Sequence, residues 1–472
     1  MKKHIYFPIE IKVRELMSRL FLSSVFANND YRIYLGELDD IFQLIKHKKN
    51  KGGVFLYNGG LSKQYTNLIK KKCNLNFLID EELSPMFPNE LGNNHVTQEF
   101  LNFVMSYRYK KDYIKSLDGV FVWTNQFIKA YRNILNDLRI FVSGNPKMDA
   151  WKKKSFPIFK KETIELKKKY KKFILINSDF LFLRQSQIKE EINSSIKILK
   201  LYKIKKKNIN LLKSLNSIRA IHKLNVFNDL VDFLKNISRK SKGFKIVIRP
   251  HPNDNIDYWR ESVKNFNNVY VEKPSSDITP YILAAEGIIH NGCSTTLQCI
   301  SNQKPVAYFV GRYKNYLSKI NINKELIQDN FKIFNKEDYF KWLKIIKNKK
   351  GSLNITKYTQ FKKKINFPNK HYVSTKIFKI VNKLSKETLK EDRLSPNIYP
   401  KKTNIIIFSE YIKKIIFNLL VFLNLKPKKK DKMPNGIKKD EISSILKKIP
   451  INNNNLICKQ ITKNCIEIEL IK

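Results

Sequence analysis

Short apolar runs alternate with amphipathic stretches along the first 150 residues. Residues 5–9 form one such run, and Val13, Leu16, Leu20, Phe21 and Val25 follow at helical spacing. Asn28-Asn29-Asp30 stops that helix, and residues 31–35 read as a second strand ending at Gly36. Residues 54–57, 77–79, 119–123 and 140–142 read as further strands, with a helix over 127–136. Strand, helix and strand joined by short loops predict a parallel sheet. The block is one doubly wound domain over residues 1–155.

Residues 156–172 are rich in lysine, carry Pro157 and read as a linker. A second domain is expected over 173–385, opening with a strand at 173–177 and interrupted by a basic helical insertion at 185–243. One part of that insertion is expected to pack on the sheet and another to form an exposed lid. From 245 to 310 the pattern alternates regularly: strand, Arg249-Pro250-His251-Pro252, helix from about 256, strand, helix from about 277, strand, Asn291-Gly292-Cys293-Ser294-Thr295-Thr296, helix, strand. The fold class predicted is α/β: two Rossmann-like doubly wound domains facing a cleft, with a helical basic tail over 386–472. Residues 405–425 of that tail are apolar but interrupted by Glu410, Lys413 and Lys414, and Lys426-Pro427-Lys428-Lys429-Lys430 follows. The segment reads as a helix packed on the domains or one lying on an anionic membrane face.

Composition adds a formal net charge of +50, from 91 Lys and Arg against 41 Asp and Glu. The lysines are spread along the chain, with no zinc-ligand spacing and no aromatic-glycine RNA signature. Nucleic acid is therefore not expected as a partner, and affinity for phosphates or an anionic membrane is a by-product of the charge. The five cysteines are odd in number and form no Cys-x-x-Cys pair, which fits a reducing cytoplasm. No run reaches the roughly eighteen apolar residues of a membrane span, and no cofactor is implied.

The candidate chemistry lies at strand ends. Pro250 and Pro252 fix the backbone on both sides of His251, whose imidazole can donate to a phosphate that in turn raises its pKa. Arg249 adds a potential bidentate contact. Gly292 permits a tight turn, Ser294 is a good N-cap, and the amides after it attract anions, with Asn291, Thr295 and Thr296 beside them. Asp80, Glu81 and Glu82 follow a strand directly; mutual repulsion suits one of them to general-base work. Without an Asp-x-Asp, a metal-bridged diphosphate has little support, and no metal is expected. Glu10, Arg14 and Glu15 sit at the first strand's end and fit acceptor binding or an internal salt bridge. Gly144 and Lys147, within Ser143-Gly144-Asn145-Pro146-Lys147, form a turn alone or a turn that touches the donor.

These stretches, in this order from residue 4 to about 380, resemble bacterial surface carbohydrate biosynthesis proteins of glycosyltransferase B (GT-B) type. The resemblance rests on Phe7-Pro-Ile-Glu-Ile-Lys-Val-Arg-Glu15, Leu35-Gly36, Ile79-Asp-Glu-Glu82, the turn at 143–147, Arg-Pro-His-Pro and the Asn-Gly-Cys-Ser-Thr-Thr loop. More widely the chain is similar to bacterial sialyltransferases, capsule Kdo transferases and polymerases using CDP-glycerol. The resemblance implies an inverting, metal-independent transferase, with Asp80 or Glu81 as base and His251 on the nucleotide phosphate. Ser294, Thr295 and Thr296 would complete the phosphate pocket. Its partners would be a nucleotide-sugar donor, such as a CMP-activated Kdo or nonulosonate, and a glycan or lipid-linked acceptor. Gln298 stands where related enzymes carry a ribose-binding Glu, and Lys147 where an Arg is expected. Three rivals stay open: a CDP-glycerol or CDP-ribitol phosphotransferase, a UDP-sugar 2-epimerase-like isomerase, and a non-catalytic membrane- or polymer-binding scaffold.

Overall fold

A computed structural model describes residues 3–47, 52–81, 109, 111–125, 128, 131–132, 137–180, 193, 206–240, 243–252, 254–312, 330–348, 355–368, 370–388, 432–433, 435–451 and 455–470. The chain is α/β, built on two largely parallel sheets, as the alternation predicts. It divides into two units that are not consecutive in sequence. The first holds Met1–Ile79, Asp112–Val120 and Ser374–Lys472, and the second Asp80–Lys111 and Phe121–Val373.

In chain order the strands are β1 (Lys3–Ile9), β2 (Tyr31–Glu37), β3 (Val54–Tyr57), β4 (Leu75–Ile79), β5 (Gly119–Val122), β6 (Ile140–Val142) and β7 (Phe173–Asn177). They continue as β8 (Lys245–Arg249), β9 (Val269–Val271), β10 (Gly287–His290), β11 (Val306–Phe309), β12 (Phe331–Ile333), β13 (Leu456–Thr462) and β14 (Cys465–Leu470). One sheet runs β13-β14-β2-β1-β3-β4-β5-β6. β1 pairs in parallel with β2 and β3, and β3 with β4. The long helix Lys12–Ala27 lies between β1 and β2 and is buried over most of its length.

The tail departs from its expected helical form. Its described residues give one helix, Lys439–Leu446, and an antiparallel hairpin, β13 with β14, in which β14 pairs with β2. The sequence alternates Ile466 and Ile468 with Glu467 and Glu469, and the strand is buried from Cys465 to Ile468, Glu467 included. Gly36 belongs to this junction rather than ending its strand. A Cβ there would stand 2.7 Å from Cys465 Cβ and 2.8 Å from the Asn464 carbonyl. The apolar stretch 405–425 and the basic run after it lie outside the described residues.

The second sheet is wholly parallel where pairs are described and runs β12-β11-β10-β7-β8-β9. Read from β9, the strands come third, second, first, fourth, fifth and sixth in chain order, the nucleotide-binding Rossmann order. The order reverses beside β7, which pairs with β8 on one side and β10 on the other. Successive side chains take opposite faces. Ile174, Ile176, Ile246, Ile248 and Ile289 join one buried cluster with Phe227, Leu230, Trp259 and Trp342. That cluster is covered by the helices Lys206–Ser238, Ile256–Val263 and Lys336–Lys347. The insertion thus packs on the sheet through its later half, and its first part, residues 185–205, falls almost wholly outside the described residues. Residues 156–172 contain the helix Lys160–Tyr170, which packs against the helix Thr279–Ala284.

Candidate functional site

Three loops leave the carboxyl ends of β8, β7 and β10, and in open α/β sheets ligands bind outside such ends where the strand order reverses. The edge residues are in register: Arg249 pairs with Asn177, and Asn177 with His290. Beyond them lie Pro250-His251-Pro252, Ser178-Asp179-Phe180 and Asn291 to Thr296.

The His251 and Asn291 loops, far apart in sequence, are both tied to the segment after β7. The Asp254 carboxylate accepts from Ser178 Oγ at 2.8 Å, Phe180 N at 3.0 Å and His251 N at 3.2 Å. Asp254 N returns a bond to the His251 carbonyl at 2.8 Å. On the other side Asp179 N donates to Asn291 Oδ1 at 2.9 Å, Asn291 Nδ2 donates to the Asp179 carbonyl, and Asn177 Nδ2 donates to Thr295 Oγ1 at 3.1 Å. Asp179 also pairs with Lys223 at 3.1 Å. Burial raises Asp254 to about 7, with Ser178 opposing and Asp179 assisting. Desolvation of a carboxylate costs several kcal/mol, and bonds to a charged acceptor return about 1.5–3 kcal/mol each. Desolvation outweighs the bonds here, so the carboxyl keeps its proton up to near neutrality.

The β10 loop differs from its expected form. The helix Thr296–Ser301 starts after Thr295, not Ser294, and no side chain caps it. Thr296 N and Leu297 N bond to the carbonyls of Cys293 and Ser294, so these two amides are engaged within the turn. Ser294 is exposed, Thr295 Oγ1 stands 3.0 Å from Cys293 Sγ, and Thr296 Oγ1 is buried with no partner. Gly292, at φ +106, donates its N–H to His290 Nδ1 at 3.2 Å. On the other side of the ring, Asn330 Nδ2 stands 3.0 Å from His290 Nε2. Burial lowers His290 to about 3, so it remains neutral and shapes the turn.

Arg249 and Gln298 are committed within the fold. Arg249 is buried, donates from Nη2 to the Ser276 carbonyl and lies 5.2 Å from the Tyr281 ring. Burial lowers its pKa. Tyr281 OH donates to Glu272 at 3.2 Å, and Glu272 also accepts from Tyr170 and Lys169. Burial opposes ionisation of Glu272, but these donors hold its pKa low. Gln298 donates to Thr279 Oγ1 at 2.7 Å, joining two helices. Sequence reasoning missed Asn177, Ser178, Asp179 and Asp254. The available signal was a polar run directly after an apolar strand at the start of the domain.

The remaining candidates have partners of their own. Asp80 is buried and accepts from Tyr131 OH at 2.7 Å. The Glu81 side chain is fully covered, with Lys147 Nζ at 3.4 Å, and its carbonyl accepts from Asn145 Nδ2 at 2.9 Å. Lys147 therefore meets an acid. Gly144 has φ +91, and a Cβ on it would approach Val373 Cγ2 to 3.1 Å. In the first unit Glu15 accepts from the amides of Glu10 and Ile11 at 2.8 and 3.2 Å, closing the start of its own helix. Glu10 pairs with Lys432 at 2.6 Å, and Arg14 is half-buried in the helix's first turn. Among the described residues no group of three or more His, Cys, Asp or Glu could hold a metal.

No known family and no curated protein matches the chain by sequence. Several solved structures are similar to it. UDP-GlcNAc 2-epimerase of Methanocaldococcus jannaschii is similar at 14% identity and TM-score 0.46, over 81% of this chain and all (100%) of that one. The wall teichoic acid polymerase TagF is similar at 12% identity and TM-score 0.44, over 82% of this chain and 90% of that one. A glycosyltransferase of Rickettsia africae is similar at 12% identity and TM-score 0.40, over 83% of this chain and 100% of that one. No helix among the described residues is long and apolar enough to cross a membrane.

Proposed function

We propose that the protein is a glycosyltransferase of GT-B type that takes a sugar from a nucleotide-activated donor for surface polysaccharide synthesis. One observation carries this reading: the loops bearing His251 and Asn291 are both bonded to the segment following β7, at the reversal point of a Rossmann-ordered sheet. The donor phosphate would sit there. His251, fixed between two prolines, would donate to it, and Asn291, Gly292, Ser294 and Thr295 would form the opposite wall. Stabilising negative charge as it gathers on the departing phosphate is the largest service such a site renders. Arg249, Thr296 and Gln298 would support the walls from behind.

The proton of an acceptor hydroxyl is assigned to the Asp80–Glu81 pair. Lys147 would keep Glu81 ionised, and opening of the cover over these carboxylates would admit the acceptor. Glu10, Arg14 and Glu15 would line the acceptor side, with Gly144 shaping the turn before Lys147. The reading includes inversion at the anomeric carbon without a metal, a CMP-linked Kdo or nonulosonate as donor, a glycan or lipid-linked acceptor, and a place at the cytoplasmic face of an anionic membrane.

A panel of CMP, CDP, UDP and GDP in thermal-shift and calorimetric binding tests it. A ligand at a hundredfold its Kd stabilises the fold by about 2.7 kcal/mol. A shift with CMP or CDP, abolished by His251→Ala, is the expected outcome. A shift with UDP alone turns the assignment toward a UDP-sugar enzyme, the 2-epimerase-like isomerase included. Label entering polymer as phosphate turns it toward a CDP-glycerol or CDP-ribitol phosphotransferase. No shift with any nucleotide overturns it.

A further inference from the structure

The last residue of β7 and the segment after it divide their contacts by parity. Ser178 and Phe180 bond to Asp254 beside His251, while Asn177 and Asp179 bond to Thr295 and Asn291. An extended segment sends successive residues to opposite sides, and β7 lies between β8 and β10, so this one can hold a loop on each flank. The hold on the Asn291 side is spread over three bonds from separate groups. On the His251 side it converges on the single carboxylate of Asp254.

We propose that Asp254 is the positioning residue that sets the spacing between the two anion-binding loops, acting through Ser178 and Phe180 on one side and the His251 amide on the other. Asp254 is 4% exposed, so it would act on the site through its partners rather than by touching the ligand. No other side chain of that size can replace it. Three donors converge on two oxygens, and Oδ2 takes both the Ser178 hydroxyl and the His251 amide. An asparagine offers one acceptor oxygen and one NH2, so at least one donor would face another donor. The His251 loop would then move from its seat, although volume and shape are conserved.

This inference rests on the phosphate site proposed above, and the experiment separates the two. Above pH 7, where Asp254 is ionised, CMP, CDP, UDP and inorganic pyrophosphate are titrated calorimetrically into the full-length wild type, Asp254→Asn, Ser178→Ala and the double variant, with urea midpoints measured alongside. Asp254→Asn is expected to weaken binding roughly tenfold or more, measured where the variant is still fully folded, with a lower urea midpoint from the buried donor left without its acceptor. Ser178→Ala is expected to weaken it less, and its effect should vanish in the Asp254→Asn background, since both act through one carboxylate. Affinity within about twofold of wild type in Asp254→Asn, or penalties that multiply in the double variant, overturns the positioning role and leaves the phosphate site standing. A wild type that binds none of the four probes removes both.

Discussion

His290 and Asp254 respond to acid in opposite senses, and each can be read separately. Burial holds His290 near 3 against an ordinary 6.5, so between these values the unfolded chain binds a proton that the native chain refuses. Its contribution to stability is complete above 6.5 and is lost as the pH falls toward 3. Asp254, raised by burial from 3.8 to about 7, keeps a proton in the native state that the unfolded chain releases, so its contribution declines as pH rises through that range. His290→Gln should therefore flatten the acid limb of the stability curve, measured by urea unfolding from about pH 4 to about pH 7. An unchanged limb would mean that the native ring takes up a proton after all. At this scale the sequence was a partial guide. His251 announced itself through its two prolines, whereas Asp254 looked like one more polar loop residue. Its role depends on partners some 75 residues upstream that no local pattern identifies.

Among the elements, strands were legible and their partners less so. The predicted run 54–57 is β3, and 140–142 and 173–177 are β6 and β7 as read. Buried parallel strands are near-continuous apolar runs bounded by turn residues, which is a strong local signal. The hairpin of β13 and β14 escaped because its alternating pattern is short and its partner, β2, lies more than 400 residues earlier. Likewise the six residues of the helix Thr296–Ser301 are too few for helical spacing to locate the start, so the cap was placed one residue early at Ser294. The close approach at Gly36 gives a test at this scale. Gly36→Ala should cost about 1–3 kcal/mol, as overpacking does, because the added carbon meets Cys465 and a backbone carbonyl. Chemical unfolding would show it, and no loss would mean that β14 sits farther from β2 than described.

At the scale of the whole chain, the charge of +50 sets the conditions for any ligand. An anionic nucleotide approaches through a positive field that salt screens, with a Debye length of about 10 Å at 0.1 M. The association rate of a nucleotide that binds should fall on the order of tenfold between low and high salt, measured by stopped flow. A salt-independent rate would show that local loops, not the general field, govern capture. The two sheets were legible as a class because strand and helix alternate throughout; the interleaving of the two units was not, since only pairing in space reveals it.

That hairpin also bears on how the molecule is made. During synthesis β2 emerges early, and its outer rim stays unpaired until residues 465–470 have left the ribosome. Nascent chains, and any product cut short before residue 456, would present that bare rim to one another. Such fragments should clump or recruit chaperones, and adding the hairpin back as a separate peptide should return them to solution.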